Sequence, residues 1–192
     1  SYTALVPWTY FSNALTDTTG SLVANTTMLT KVYFPRLVIP LTSTISKLVD
    51  FTIAMVLLFG LMVWFRTVPT FWALGLPVLV LLMMLTAAGL GMWLTALAIQ
   101  YRDIKYGMTF AIQLMMYASP VAYPVSLVPE RYQLLYALNP MVGVIEGFRS
   151  VLLNTNPVPW DLLAVGATTS AILAISGLFY FRRMERVFAD VA

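Results

Sequence analysis

Long apolar runs separated by short charged turns organise the chain, and their lengths predict helices that cross a lipid bilayer. Uncharged stretches cover residues 67–101, 106–129 and 162–181. Each reaches the roughly 20 residues needed to cross a hydrocarbon core about 30 Å thick. The pattern predicts five spans in all. The first occupies residues 1–24, where Asn13, Asp17 and several Ser and Thr interrupt the apolar positions. At helical spacing Tyr10, Asn13, Asp17 and Gly20 share one face, and Phe11, Leu15 and Leu22 share another. That predicts a helix with one side toward lipid and one toward a polar interior. The second span runs from about Val49 to Phe65, bounded by Lys47 and Asp50 at one end and Arg66 at the other, with Trp64 and Phe65 as an interfacial anchor. The third, from about Phe71 to Ile99, would be roughly 43 Å long, so it is expected to tilt, kink near Pro77 or protrude. The fourth extends from about Tyr106 to Ala122 and ends in the Pro120 and Pro124 pair. The last extends from about Leu162 to Phe181 and stops at Arg182 and Arg183.

Residues 123–161 fit no span. They hold two short apolar runs, 132–138 and 141–153, split by Asn139 and Pro140 and flanked by Pro129, Pro157 and Pro159. Proline breaks a helical hydrogen bond and keeps the preceding residue out of the α region. Two short helices that dip into the outer leaflet and return are the economical prediction. Irregular backbone at that depth needs shelter from protein or a water-filled cavity, so this stretch is expected to border a pathway. Helices lying on the surface of an extracytoplasmic loop are the alternative. The expected fold is therefore all-α, a single polytopic transmembrane helix bundle over residues 1–192 with short re-entrant or gate helices before the last span.

Composition agrees with the pattern. Of 192 residues 60% are hydrophobic and 10% charged, and the mean hydropathy is +0.83; soluble domains carry about 25% charged residues. Loop charge then sets orientation, because Lys and Arg stay on the cytoplasmic side. Lys31, Arg36 and Lys47, Arg102 and Lys105, and Arg182, Arg183 and Arg186 fall on one side, leaving Arg66, Arg131 and Arg149 on the other. The C-terminus is expected in the cytoplasm. Five spans would then put Ser1 outside. With no initiating Met and no basic leader, the chain reads as a fragment of a six-span protein.

Candidate chemistry is sparse. The absence of His and Cys removes the commonest metal ligand, general base and thiolate. No phosphate-binding loop, dinucleotide fingerprint or Ser-His-Asp set is present, so no catalytic residue, metal site or cofactor is expected. Asp50 lies one turn from Lys47, which predicts an interfacial ion pair. Asp17 has no local basic partner and faces either a water-filled conduit or the headgroups. Tyr106, Phe110, Gln113 and Tyr117 fall on one face of the fourth span, followed by Tyr123. Sugar C–H faces stack on rings, and amide and phenol groups exchange hydrogen bonds with hydroxyls, so this stripe suits a sliding glycan. Helix packing with an interfacial tyrosine belt is the competing account. Gly166, Ser170 and Ala174, and Ala87, Gly89 and Gly91, are expected to be packing faces. Lys31-Val32-Tyr33-Phe34-Pro35-Arg36 and Arg102-Asp103 have the composition of docking elements, or of contacts to anionic lipid.

Together these motifs resemble the permease subunits of ABC-2 type polysaccharide exporters, which export O-antigen, capsule or teichoic acid chains. The resemblance rests on Pro7-Trp8-Thr9-Tyr10-Phe11 with Asn13, on Lys31 to Arg36 and on Arg102-Asp103-Ile104. It continues in Ser119-Pro120-Val121 with Tyr123-Pro124, in Asn139-Pro140 and in Glu146-Gly147-Phe148-Arg149. It implies a homodimer in the bacterial inner membrane with a conduit at its interface, and a lipid-linked polysaccharide as cargo. It also implies a separate ATPase subunit that binds ATP and Mg, and no nucleic-acid partner. By the same resemblance Tyr10, Asn13, Asp17, Tyr106, Phe110, Gln113, Tyr117 and Tyr123 would line the conduit. Lys31, Tyr33, Phe34, Pro35, Arg36, Arg102 and Asp103 would couple to the ATPase. Glu130, Arg131, Asn139, Pro140, Glu146 and Arg149 would belong to the outer gate, where Glu146 and Arg149 are spaced to pair. An ABC-2 exporter of a drug or small lipid, an ion-coupled secondary transporter and a membrane scaffold are the other readings. No internal repeat favours the second of these.

Overall fold

A computed structural model describes residues 2–24, 36–67, 69, 71–101, 103–154 and 157–188, with residues 23 and 186–188 described for the backbone alone. The described residues form helices and connecting turns and contain no strand. The α-helices are α1 (Tyr2–Ala24), α2 (Val38–Trp64), α3 (Leu76–Gln100), α4 (Ile104–Tyr117), α5 (Glu130–Tyr136), α6 (Pro140–Leu153) and α7 (Trp160–Phe188). Short 3-10 turns at Phe71–Gly75 and Val125–Leu127 precede α3 and α5. Among the described residues, three helical stretches are long and apolar enough to cross a membrane: Val38–Trp64, Phe71–Gln100 and Trp160–Glu185. The two remaining expected spans differ from these. The 23-residue α1 carries a run of Ser, Thr, Asn and Asp, and α4 has 14 residues.

Several boundaries depart from the sequence pattern for identifiable reasons. α2 begins at Val38 rather than near Val49, so Lys47 and Asp50 lie inside the helix instead of before it. Pro77 does not kink a continuous helix. It sits in the first turn of α3, where its missing N–H costs nothing, and the preceding turn is 3-10. α7 continues past Arg182 and Arg183 to Phe188, because long basic side chains can reach headgroup or water from a helix that carries on.

α1 is the centre of the bundle, in contact with α2, α3, α4 and α6. Its apolar face does not look toward lipid. Phe11, Ala14, Leu15 and Leu22 are buried in protein, and Tyr10 and Phe51 of α2 meet edge to face. The polar positions Thr9, Asn13, Thr16 and Asp17 are the exposed ones. Hydroxyls that would be costly in a dry core return to the carbonyl one turn back, as in Thr19 to Leu15 and Thr95 to Gly91, or cross between helices. Thr18 shares a hydrogen bond with Thr44 at 3.0 Å, and Thr86 shares one with Ser170 at 2.8 Å.

α3 and α7 pack over the largest helix contact, and small residues set its closeness as the sequence predicts. A Cβ on Gly89 would lie 2.7 Å from the Ala174 backbone nitrogen, and one on Gly177 would lie 2.5 Å from the Gly89 carbonyl oxygen. Trp93 stacks on Tyr180 and donates to Ser176 beside this contact. At the end where α1, α3 and α7 finish, Leu22, Met92, Ala96 and Phe181 form a second apolar cluster, and the Arg36 guanidinium reaches the Glu185 carbonyl.

Candidate functional site: a broken-helix clamp beside an exposed polar and aromatic face

The two short helices expected between the fourth and last spans are present as α5 and α6, separated at Asn139. α6 is buried at 12 of its 14 residues, against α1, α3 and α7. A short helix enclosed on all sides must satisfy both of its broken ends inside the protein. Asn139 caps α6 by accepting from the Met141 N–H at 3.2 Å. The same side chain donates to the Ala118 carbonyl at 3.1 Å and to Ser119 Oγ at 2.8 Å.

Those two partners belong to the turn after α4, where Pro120 and Pro124 prevent the helix from continuing. Further along α6, Arg149 donates to the Pro120 carbonyl at 2.8 Å and pairs with Glu146. Glu146 Oε1 also accepts from the Val125 N–H at 2.9 Å. The capping Asn139 and two side chains of the buried helix thus supply partners to backbone groups of residues 118–125. The pairing of Glu146 with Arg149, expected from their spacing, is present, and Glu146 is only 6% exposed. An ion pair so dry needs further hydrogen bonds, and here the Val125 N–H and the Pro120 carbonyl supply one to each partner.

Tyrosine hydroxyls extend this clamp outward. Tyr123 donates to the Tyr117 carbonyl at 2.7 Å, and its single proton is then used, so the Tyr136 hydroxyl 2.8 Å away must donate to Tyr123. Burial, then the neighbouring Tyr123 hydroxyl, holds the Tyr136 phenol well above the usual tyrosine range. Pro140 is buried at the start of α6. Glu130 and Arg131 lie on exposed α5, with the Arg131 guanidinium over the Tyr132 ring.

The stripe on α4 does not pack within the chain. Tyr106 is 78% exposed, Phe110 64% and Tyr117 72%, with Gln113 exposed between them, whereas Met108 and Ile112 on the opposite face enter the core. α4 lies against α1, whose exposed face carries Thr9, Asn13, Thr16 and Asp17. Asp17 has the basic partner that the sequence did not reveal. Lys47 Nζ is 2.8 Å from Asp17 and 3.6 Å from Asp50, so the expected Lys47–Asp50 pair is the looser half of a triad. Thr9, Ser12 and Thr16 extend the same face and were missed individually, although their spacing with Asn13 would have found them. Tyr10 does not join this face. It is 3% exposed and donates to the Thr44 carbonyl at 3.0 Å, so it serves the core.

Of the expected docking elements, Arg36 stands beside the end of α7 and Asp103 is exposed at the start of α4. Lys31, Tyr33, Phe34, Pro35 and Arg102 lie outside the described residues. No group of three or more metal-ligating side chains occurs among the described residues. A groove of about 720 Å³ between the first halves of α3 and α7 is lined by apolar side chains including Phe71, Trp72, Val78 and Trp160. It brings no polar groups together.

Comparison with known proteins adds a family to this geometry. Residues 4–153 match the family model described as ABC-2 type transporter. The chain is 27% identical over 191 residues to an O-antigen export system permease protein RfbA of Klebsiella pneumoniae, covering 98% of this chain and 73% of that protein. It is 28% identical over 188 residues to the protein of the same name from Myxococcus xanthus, covering 96% and 72%.

Proposed function

The chain belongs to the ABC-2 type transporter family, and from that membership we propose that it is the transmembrane permease subunit of an ATP-driven polysaccharide exporter. The exporters of O-antigen among its relatives support the cargo class. The observation that carries the reading is the pair of adjoining exposed faces on a membrane bundle. One is the hydroxyl, amide and carboxylate face of α1, and the other is the Tyr106, Phe110, Gln113 and Tyr117 stripe of α4. A polar face is costly against hydrocarbon and useful against a hydrated sugar.

Two copies related by a twofold axis would enclose these faces as a conduit across the inner membrane, with the C-terminus in the cytoplasm. The exposed apolar face of α2, including Val49, Ile53, Val56 and Leu57, is available to lipid or to the second copy. The clamp built on Asn139, Pro140, Glu146 and Arg149 would form the outer gate with α5, and the Tyr123 hydroxyl would tie it to the last residue of the aromatic stripe. Residues 31–36 and Arg102-Asp103 would seat in a separate ATPase that binds ATP and Mg. Ion coupling loses its main support, because Asp17 is paired with Lys47 rather than standing alone.

The deciding experiment is copurification of the chain with a nucleotide-binding subunit, followed by glycan analysis of a strain lacking the gene. Intracellular accumulation of lipid-linked polysaccharide is expected. A glycan profile unchanged from the parent strain would remove the cargo assignment. Tyr117→Ala should slow glycan passage without lowering dimer yield, and unaffected export would return the stripe to a packing or lipid-facing role. Replacing Phe34 and Arg36 with Ala should uncouple ATP hydrolysis from export while leaving membrane insertion intact.

A further inference from the structure

The Asp17, Lys47 and Asp50 triad has an electrostatic consequence for cargo. Lys47 Nζ is the shared partner of both carboxylates, so the cluster keeps one net negative charge. Asp17 is 48% exposed, Asp50 65% and Lys47 25% at their side chains, so all three meet the medium in front of the helices. Their depth matters as much as their charge. Lys47 follows the start of α2 by nine residues and Asp17 precedes the end of α1 by seven, placing the triad about 10–14 Å inside those ends at 1.5 Å per residue. A charge on a membrane helix, set back from its ends, pairs with another charge or faces water.

The exposed or partly exposed groups flanking the triad on its own helices are uncharged: Thr9, Ser12, Asn13 and Thr16 on α1, and Ser46, Ile53 and Leu57 on α2. Fixed positive charge lies toward the helix ends instead, at Arg36, Lys105, Arg182 and Arg183. Glu146 and Arg149 cancel each other within the buried clamp.

From this we infer that the Asp17–Lys47–Asp50 triad is a specificity determinant that favours uncharged glycan and disfavours polyanionic chains bearing carboxylates or phosphates, an inference that rests on the exporter reading. Carboxylate oxygens accept hydrogen bonds from sugar hydroxyls. A passing anion meets a like charge against low-dielectric walls, where repulsion is several times stronger than in water. A second copy in a dimer would present a second triad to the same cargo.

The test uses the permease with its ATPase partner in proteoliposomes. Rates are compared for two lipid-linked glycans of equal length, one neutral and one carrying a carboxylate on each repeat. The wild type should favour the neutral glycan by at least about tenfold. Asp50→Asn, which preserves the closer Asp17–Lys47 pair, should lower that ratio, and Asp50→Lys should lower it further. Asp17→Asn removes the other carboxylate of the triad and should also lower the ratio. Equal rates for the two glycans in the wild type, or a ratio unmoved by all three substitutions, would overturn the filter and leave the exporter reading standing. Transport of neither glycan would overturn both.

Discussion

Glu146 and Arg149 place opposite charges where protein replaces water, and the cost of that placement predicts how each substitution behaves. Arg149→Ala would strand a buried carboxylate and release the Pro120 carbonyl, so a loss of about 3–5 kcal/mol is expected. Replacing both residues together with Met and Leu should cost less than Arg149→Ala alone, because no charge is left unpaired. Thermal unfolding of the detergent-solubilised protein measures the difference, and a double variant less stable than the single would contradict this account. Arg66 closes α2 with φ at 54°, a left-handed conformation that disfavours a side chain. Arg66→Gly removes a strain of about 1–2 kcal/mol, offset in part by the greater freedom of glycine in the unfolded chain. A small rise in Tm is the expected outcome. At this scale legibility depended on distance along the chain. Glu146 and Arg149 are three apart and could be paired by spacing, whereas Asp17 and Lys47 are thirty apart and no local pattern joins them.

Helix contacts respond to volume rather than to charge. Gly89→Val and Gly177→Val each drive a side chain into facing backbone, so folded, monodisperse yield should fall sharply for both. Gly60→Ala is the matched control. Nothing lies within 4 Å of the position its Cβ would take, and yield should be unchanged within error as judged by size-exclusion profiles. The small-residue faces on α3 and α7 were legible because closeness demands particular residue types. The burial of Phe11, Leu15 and Leu22 in protein was not recoverable from sequence, since a protein core and lipid tails are equally apolar and periodicity cannot tell them apart. Proline spacing located α5 and α6 well. Of the three outcomes expected for the long third span, the kink at Pro77 is absent, because a proline that starts a helix and one that bends it look alike until the preceding turn is seen.

The molecule as a whole is read from loop charge, and that reading has a direct check. The chain has no cysteine, so single-cysteine variants report sidedness without a background. Arg182→Cys should react with an impermeant thiol reagent only after cells are permeabilised, whereas Arg131→Cys should react in intact cells. The reverse pattern would invert the bundle. An all-helical membrane fold and the broken segment before the last span were legible from apolar run length and proline. The number of full crossings was not, because α1 is too polar and α4 too short to announce themselves by hydropathy. The shortness of α4 has an electrical consequence. Fourteen residues rise about 21 Å, against about 30 Å of hydrocarbon. With a wet outer mouth, the resting voltage would fall over that shorter column and steepen the local field by about two-fifths. A closed protein of this shape would have to resist dielectric leakage of small ions along its thinnest wall, a demand separate from holding or releasing its cargo.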